Sequence, residues 1–272
     1  MTCLLGVDIG NSGLRVAQLS RDGLGTIRRL YWTTGPNSKR GQRFEPGSDE
    51  WISCIEDLLE LPNAKWFISS VRRDATAVLL SAISRFSEVV AHEIRLQTLQ
   101  ELDLQVNVKE PERVGVDRLV ASYAASKLES ERPLVVIQAG SAVTVDLLST
   151  SGSFDSFEGG AIVPGVPMML RLLGASADQL PEMDADELTE MPELPGKNTE
   201  EAMICGTASA LVGGVRDLVT RYRKKYGNSV QLVLSGGDGM RIAPYLDKPL
   251  VVHPDLVLHG LLEIADRLNN KV

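Results

Sequence analysis

Histidine and cysteine are scarce in this chain, with three of each among 272 residues. The histidines, His92, His253 and His259, are dispersed, so no local pattern assembles them into a site, and packing or surface roles are expected. Cys3, Cys54 and Cys205 are odd in number and lack metal-ligand spacing, which argues against a disulfide framework or a zinc site and for buried thiols in a reducing compartment. A basic excess is also missing. The formal net charge is -8, which speaks against a nucleic-acid backbone as the main partner, and the pairs Arg28–Arg29 and Arg72–Arg73 read as solvated surface. The opening "MTCLLGVDIG" has no basic region before its apolar run, and Asp8 cuts that run short, so no secretory signal is expected. No apolar stretch is expected to approach the roughly 20 residues that span a bilayer. Neither a Walker G-x-x-x-x-G-K-[ST] nor a G-x-G-x-x-G after the first strand occurs. A cytoplasmic protein without nucleic-acid or membrane partners is the expectation.

What is present is an α/β pattern laid out twice. Leu4–Asp8 and Leu14–Ser20 predict two strands around a glycine-rich turn, and Thr26–Thr33 a third. Ser48 stands where it would cap a helix carrying Trp51, Ile55, Leu58 and Leu59 on one face, with Pro62 as its stop. "AKWFISSV" predicts a buried strand, followed by a helix from about Asp74 to Phe86. Leu134–Gln138 and Val143–Leu148 then repeat the strand–turn–strand unit, and "FEGGAIVPG" supplies another strand. Thr199–Tyr226 predicts a long helix whose basic last turn and Gly227 end it. "VQLVLSGG" predicts one more strand with a glycine corner, and "DLVLHGLLEIADRL" a closing amphipathic helix. The acidic, proline-bounded "PEMDADELTEMPELPG" reads as a solvated loop or short surface helix. Two such lobes, 1–115 and 116–272, would face each other across a cleft, where α/β sheets bind ligands at their strand ends.

The chemistry concentrates at the turns. In "DIGNSG", backbone N–H groups can converge on an anion, with Asn11 and Ser12 adding donors. Asp8 repels an anion and fits instead as an outer ligand of hydrated Mg²⁺ bridging to phosphates. By itself such a turn means only a hairpin; the second glycine turn, "QAGSAVTVD", and the corner "SGGDG" make the combination suited to a nucleotide. In "ERVGVDRLVAS", Asp117 reads either as a helix N-cap or as a carboxylate that takes a hydroxyl proton. Arg118 beside it would fix an anionic group. In "GKNTEEAM", Thr199 reads as an N-cap.

These segments, together with "ISSV", "GGAIVPG" and "HPDLVLHGLLEI", occur in the order found in the type III pantothenate kinases, also called the Bvg accessory factor family, which the chain resembles over nearly its whole length. The resemblance implies duplicated ribonuclease-H-like lobes of the actin, Hsp70 and acetate/sugar kinase superfamily with a central nucleotide cleft. It implies ATP-dependent, Mg²⁺-assisted phosphorylation of pantothenate, the first step towards coenzyme A. Carried over, Asp8, Ile9, Gly10, Asn11, Ser12, Gly13, Leu14 and Arg15 form the ATP phosphate loop, with Asp8 near Mg²⁺ through water. Ser141 touches ATP, and Asp117 is the proton acceptor. Gly115, Val116, Asp117 and Arg118 contact pantothenate, and Thr199 does so across a homodimer interface.

Two positions depart from the family. Gln138 stands where the family has an aspartate that helps bind an activating monovalent cation, K⁺ or NH₄⁺, so that site is expected to be weak or absent. Val108 replaces a frequent tyrosine at one wall of the pantothenate pocket. A nucleotide-binding regulator of the same fold without kinase activity is the alternative that Gln138 raises.

Overall fold

Alternation along the first strand decides which way each lobe faces. In β1 (Cys3–Ile9), Leu5, Val7 and Ile9 point to one side, and Leu4, Gly6 and Asp8 to the other. The computed structural model describes residues 3–33, 43–85, 90–183 and 193–269. The first sheet contains β1, β2 (Gly13–Ser20), β3 (Gly23–Leu24), β4 (Arg28–Trp32) and β5 (Arg43–Phe44). A 3-10 stretch over Glu50–Ile55 runs into α1 (Glu56–Leu59), followed by β6 (Ala64–Ser70), α2 (Arg73–Ile83) and β7 (Val90–Glu93). Next come α3 (Leu96–Gln100), β8 (Leu104–Val106) and α4 (Val116–Leu128). The second unit holds β9 (Leu134–Ala139), β10 (Ala142–Ser151), β11 (Phe154–Pro164) and α5 (Val166–Ser176). It continues with α6 (Thr199–Tyr226), β12 (Gln231–Ser235), α7 (Gly239–Ile242), β13 (Leu250–Val252) and α8 (Leu256–Asn269).

The repeat predicted from the sequence is real at the level of topology. The first sheet runs β5-β4-β2-β1-β6-β7 and the second β13-β12-β9-β10-β11-β8. Each has a central strand flanked by its antiparallel hairpin partner on one side and a parallel strand on the other. β8 joins the second sheet by parallel pairing with β11, so the chain enters that sheet before residue 115.

Three large apolar cores among the described residues hold the layers, and a small fourth cluster, Leu170 with Met203, joins α5 to α6. The outer face of the first sheet buries Leu5, Val7, Ile9, Trp66 and Ile68 with Trp51, Ile55 and Leu79. The outer face of the second buries Val135, Ile137, Val143 and Val145 beneath Leu211, Val215 and Val219 of α6. Between the sheets lie α4 and α8, joining Ala17, Leu19 and Phe67 of the first sheet to Val136, Leu148 and Phe157 of the second. The run of small residues in α4, Ala121 to Ala125 around Tyr123, lets α8 pack close against it.

Several local expectations change. Ser48 caps no helix; its hydroxyl donates to the Glu45 carbonyl, and the segment opens as a 3-10 stretch. α2 starts at Arg73 and ends at Ile83, and Phe86 lies outside the described residues. Residues 184–192 of the acidic segment also lie outside them. α6 has the predicted bounds, but it is long and apolar enough to cross a bilayer by length and composition, contrary to the expectation that no stretch comes near that limit. Its apolarity serves packing on one side, where Leu211, Val215 and Val219 cover the second sheet.

Candidate active site

The inner faces of both sheets are apolar near their bases and turn polar at the strand ends. On β1 the inner position is Asp8, 4% exposed, opposite Arg15 on β2 and Ser69 on β6. The Arg15 guanidinium closes on Asp8 through Nε, 3.0 Å from Oδ2, and through Nη2 on the same oxygen. Asp8 Oδ1 has no side-chain partner among the described residues. Arg15 Nη1 also reaches Asp255 at the start of α8, 3.3 Å away, and Arg29 Nη2 binds the same carboxylate at 3.0 Å. Burial pulls the Arg15 guanidinium down, but Asp8 and Asp255 outweigh it and leave its pKa raised.

The two glycine turns meet. The Ser12 and Ser141 hydroxyls, 129 residues apart in sequence, are in hydrogen-bond contact across the lobes. Gly10 N–H donates to the Gly13 carbonyl, three residues on, and Gly140 N–H to that of Ala142, two residues on, so each turn closes on itself and the second does so more tightly. Asn11 and Ser12 are exposed, whereas the Ile9 and Leu14 side chains are buried in the first lobe's core, which leaves these two only backbone groups to offer a ligand. Gly236, in the "SGG" corner, holds φ +93° with its Cα against the Ala139 backbone, where a Cβ would collide. The corner therefore sits against the second turn.

α4 delivers the acid into this space. Gly115 is its N-cap, with Val116, Asp117 and Arg118 in the first turn. Asp117 is thus not the cap: its Oδ1 accepts from the Arg118 N–H at 2.9 Å, inside the helix. Burial first, and then the negative charge of Asp8, raise the Asp117 pKa from 3.8 to about 6. Arg118 binds Asp146 of β10 through Nε, 3.1 Å from Oδ2, and through Nη2 on Oδ1. Burial raises the Asp146 pKa against the pull of Arg118. Asp146 is the main residue that the sequence reading missed; its signal was a polar pair, Thr144 and Asp146, on one face of an otherwise apolar strand.

Gln138 occupies in the second lobe the place of Asp8 in the first, opposite Thr144 and beside Ser235. Its buried Oε1 has no hydrogen-bond partner. Thr144 Oγ1 lies near enough to Asp146 to favour its charged form, without forming a well-placed hydrogen bond. The buried Ser69 hydroxyl beside Asp8 is likewise unpartnered. Buried polar atoms without partners are costly in a protein interior. Several such atoms on the facing surfaces, with one free oxygen on Asp8 and two amide-rich turns, fit a phosphate ester and a hydrated divalent ion.

Thr199 is carried by a different element, α6. It begins α6 on the exposed surface and bonds to none of Asp8, Asp117 or Arg118. Nor is it the cap: Asn198 accepts from Glu201 N–H at 2.8 Å, and Glu201 accepts in return from Lys197 N–H at 2.6 Å. The capping pair is shifted by one residue from the expected frame.

The sequence profile of the type III pantothenate kinases matches residues 4–221. A type III pantothenate kinase of Rhodopirellula baltica is 31% identical, covering 96% of this chain and 97% of its own. One from Persephonella marina is 26% identical over the same shares of the two chains. Among solved structures, MreB5 of Spiroplasma citri bound to AMPPNP aligns with TM-score 0.52 at 11% identity, over 100% of this chain and 99% of that one. This last likeness concerns the fold.

Proposed function

The chain belongs to the type III pantothenate kinase family and catalyses ATP-dependent phosphorylation of pantothenate in coenzyme A biosynthesis; on that premise we propose that Asp117 is the general base. The observation that carries this assignment is a half-buried carboxylate at the start of α4, near enough to Asp8 to feel its charge, with a pKa raised to about 6. Such a group is ionised at neutral pH yet basic enough to accept a proton from an alcohol as its oxygen attacks phosphorus. The α4 backbone holds Oδ1, which leaves Oδ2 to receive the primary hydroxyl of pantothenate and lead to 4'-phosphopantothenate.

Ile9 to Arg15 and Ser141 are assigned to the ATP phosphates, with N–H groups of the two turns as donors. Asp8 would hold Mg²⁺ through water, and that ion would draw negative charge from the transferring phosphoryl group. Arg15 keeps Asp8 oriented. Gly115, Val116 and Arg118 contact pantothenate, the last through its anionic group. The division at 115/116 also belongs to this proposal, with β8 reaching across it, as does a cytoplasmic location.

Thr199, exposed at the start of α6 and without a hydrogen bond to Asp117, is assigned to the pantothenate site of a partner subunit in a homodimer. Sedimentation at micromolar concentration should give a dimer; a monomer contradicts a contribution in trans. Gln138 offers a neutral oxygen where a carboxylate would hold K⁺ or NH₄⁺, so monovalent-cation activation is weak or absent. The test is ADP release with ATP, Mg²⁺ and pantothenate, run in sodium and in potassium. Equal pantothenate-dependent turnover is expected in both salts. Strong saturable potassium activation contradicts the Gln138 assignment, and near-normal turnover of Asp117→Asn at neutral pH contradicts the base.

A further inference from the structure

We propose that Asp146 is a positioning residue that aims Arg118 at the carboxylate of pantothenate, and so sets the preference for an anionic over a neutral acceptor. The inference rests on the reading of Arg118 as a pantothenate contact. Asp146 is 1% exposed, on the inner face of β10. Its two oxygens take the Nε and Nη2 edge of Arg118, a two-point contact that fixes the plane of the guanidinium. The Phe157 ring supports that plane from one side, its centroid 5.6 Å from Arg118 Cζ.

The neighbouring strand is shaped around this pair. Gly160 of β11 lies opposite Asp146 in register, and a Cβ there would collide with Asp146 Oδ1 and the Val145 carbonyl. The β10–β11 register shifts between Asp146 and Leu148, at the same place. Burying an ion pair gives little net stability relative to apolar side chains of similar size. A glycine and a register shift that accommodate one therefore point to a use beyond packing. What the pair leaves over is Nη1 of Arg118, which meets no protein acceptor among the described residues and belongs to a side chain still 14% exposed. It lies at the opening of α4, where the helix N-terminus also favours an anion.

Orientation and charge pull in opposite directions here, and this makes the inference testable. Asp146 offsets the positive charge of Arg118, so a role in charge alone predicts tighter pantothenate binding when Asp146 is neutralised. A role in aiming predicts weaker binding. The measurement is calorimetric affinity, with kcat and KM, for pantothenate and for neutral pantothenyl alcohol, which keeps the hydroxyls and lacks the carboxylate. In Asp146→Asn, pantothenate affinity should fall by about ten- to a hundredfold, the range for losing a hydrogen bond to a charged group. The affinity for the alcohol should hold within about twofold, well below that range. Equal weakening of both ligands, or tighter pantothenate binding, overturns the proposal.

Should Asp146→Asn alone not fold, the double variant Asp146→Asn with Arg118→Met removes both charges and so avoids an unpaired one. Its ratio of pantothenate to alcohol affinity should equal that of Arg118→Met, and a further fall overturns the proposal. If Arg118→Met keeps the full preference for the carboxylate, the assignment of Arg118 fails and this inference with it. If Arg118→Met loses that preference and Asp146→Asn keeps it, only the role of Asp146 is removed.

Discussion

The two lobes share a frame and differ in what they place on it. In each, a central strand ends at an inner-face polar residue, with a hairpin partner opposite and a serine on the parallel neighbour. The sets are Asp8, Arg15 and Ser69 in the first lobe and Gln138, Thr144 and Ser235 in the second. The first set carries a charge pair and an unpartnered hydroxyl. The second is neutral, and Ser235 is occupied, donating to the Pro254 carbonyl and accepting from Leu256 N–H where α8 begins. The second lobe keeps its charge one inner-face position further along β10, at Asp146, where it serves Arg118 instead of the turn. Duplication thus supplied two like corners; on the proposed reading, side-chain divergence gave the first to a cation and turned the second lobe's charge towards Arg118 and the acceptor.

Substitutions that erase or exaggerate this difference should act in a definite order. The largest effect belongs to the acid standing between the lobes: Asp117→Asn should lower kcat by about 10²–10⁴-fold, the usual contribution of a positioned base, with ATP affinity retained. Making the first lobe resemble the second, Asp8→Asn, should cost about a hundredfold or more in turnover, as expected when charge stabilisation of the transferring group is weakened. The reverse exchange, Gln138→Asp, should create or strengthen potassium activation, read as a difference between sodium and potassium rates larger than in the unmodified protein. The smallest effect concerns the serines. Ser235→Ala should cost about 1 kcal/mol of stability in denaturant unfolding through the lost contact at α8. Ser69→Ala should leave stability nearly unchanged, because its hydroxyl has no partner to lose. Equal losses from the two serines would mean that the lobes are not differentiated in this way.

The raised pKa of Asp117 also sets a stability trend. In the folded protein the group keeps its proton up to about pH 6, above its unfolded value of 3.8, so it contributes stability at low pH that is lost as pH rises through about 6. Asp117→Asn, fixed in the neutral state, should therefore raise Tm most above about pH 6, with the gain vanishing towards about pH 4. Thermal unfolding across that interval checks the sign.

The strands, the duplication and the glycine turns were legible in the sequence because their signals are local: two-residue alternation, apolar runs, and Gly or Asn at corners. α6 was legible to the residue, since Gly227 stops it with φ +98°. What escaped depends on distant partners. β8 is three residues long and is a strand because β11, some 50 residues later, pairs with it. The Arg118–Asp146 pair joins residues 28 apart, and no spacing rule connects them. The bonds of Arg15 and Arg29 to Asp255 span more than 220 residues. Caps were misplaced by one or two residues, at Asp117 and Thr199, because Gly115 and Asn198 compete for the same ends and only geometry separates them.

The most direct test of the account is the pH dependence of pantothenate-dependent ADP release, measured with saturating ATP and Mg²⁺ for the unmodified protein and for Asp117→Asn. The account predicts that kcat/KM of the unmodified protein falls below about pH 6 with the loss of one ionisation, and that Asp117→Asn retains a small rate without that limb. A profile that stays flat through pH 6, or an Asp117→Asn variant with the unmodified rate and the same limb, would contradict it.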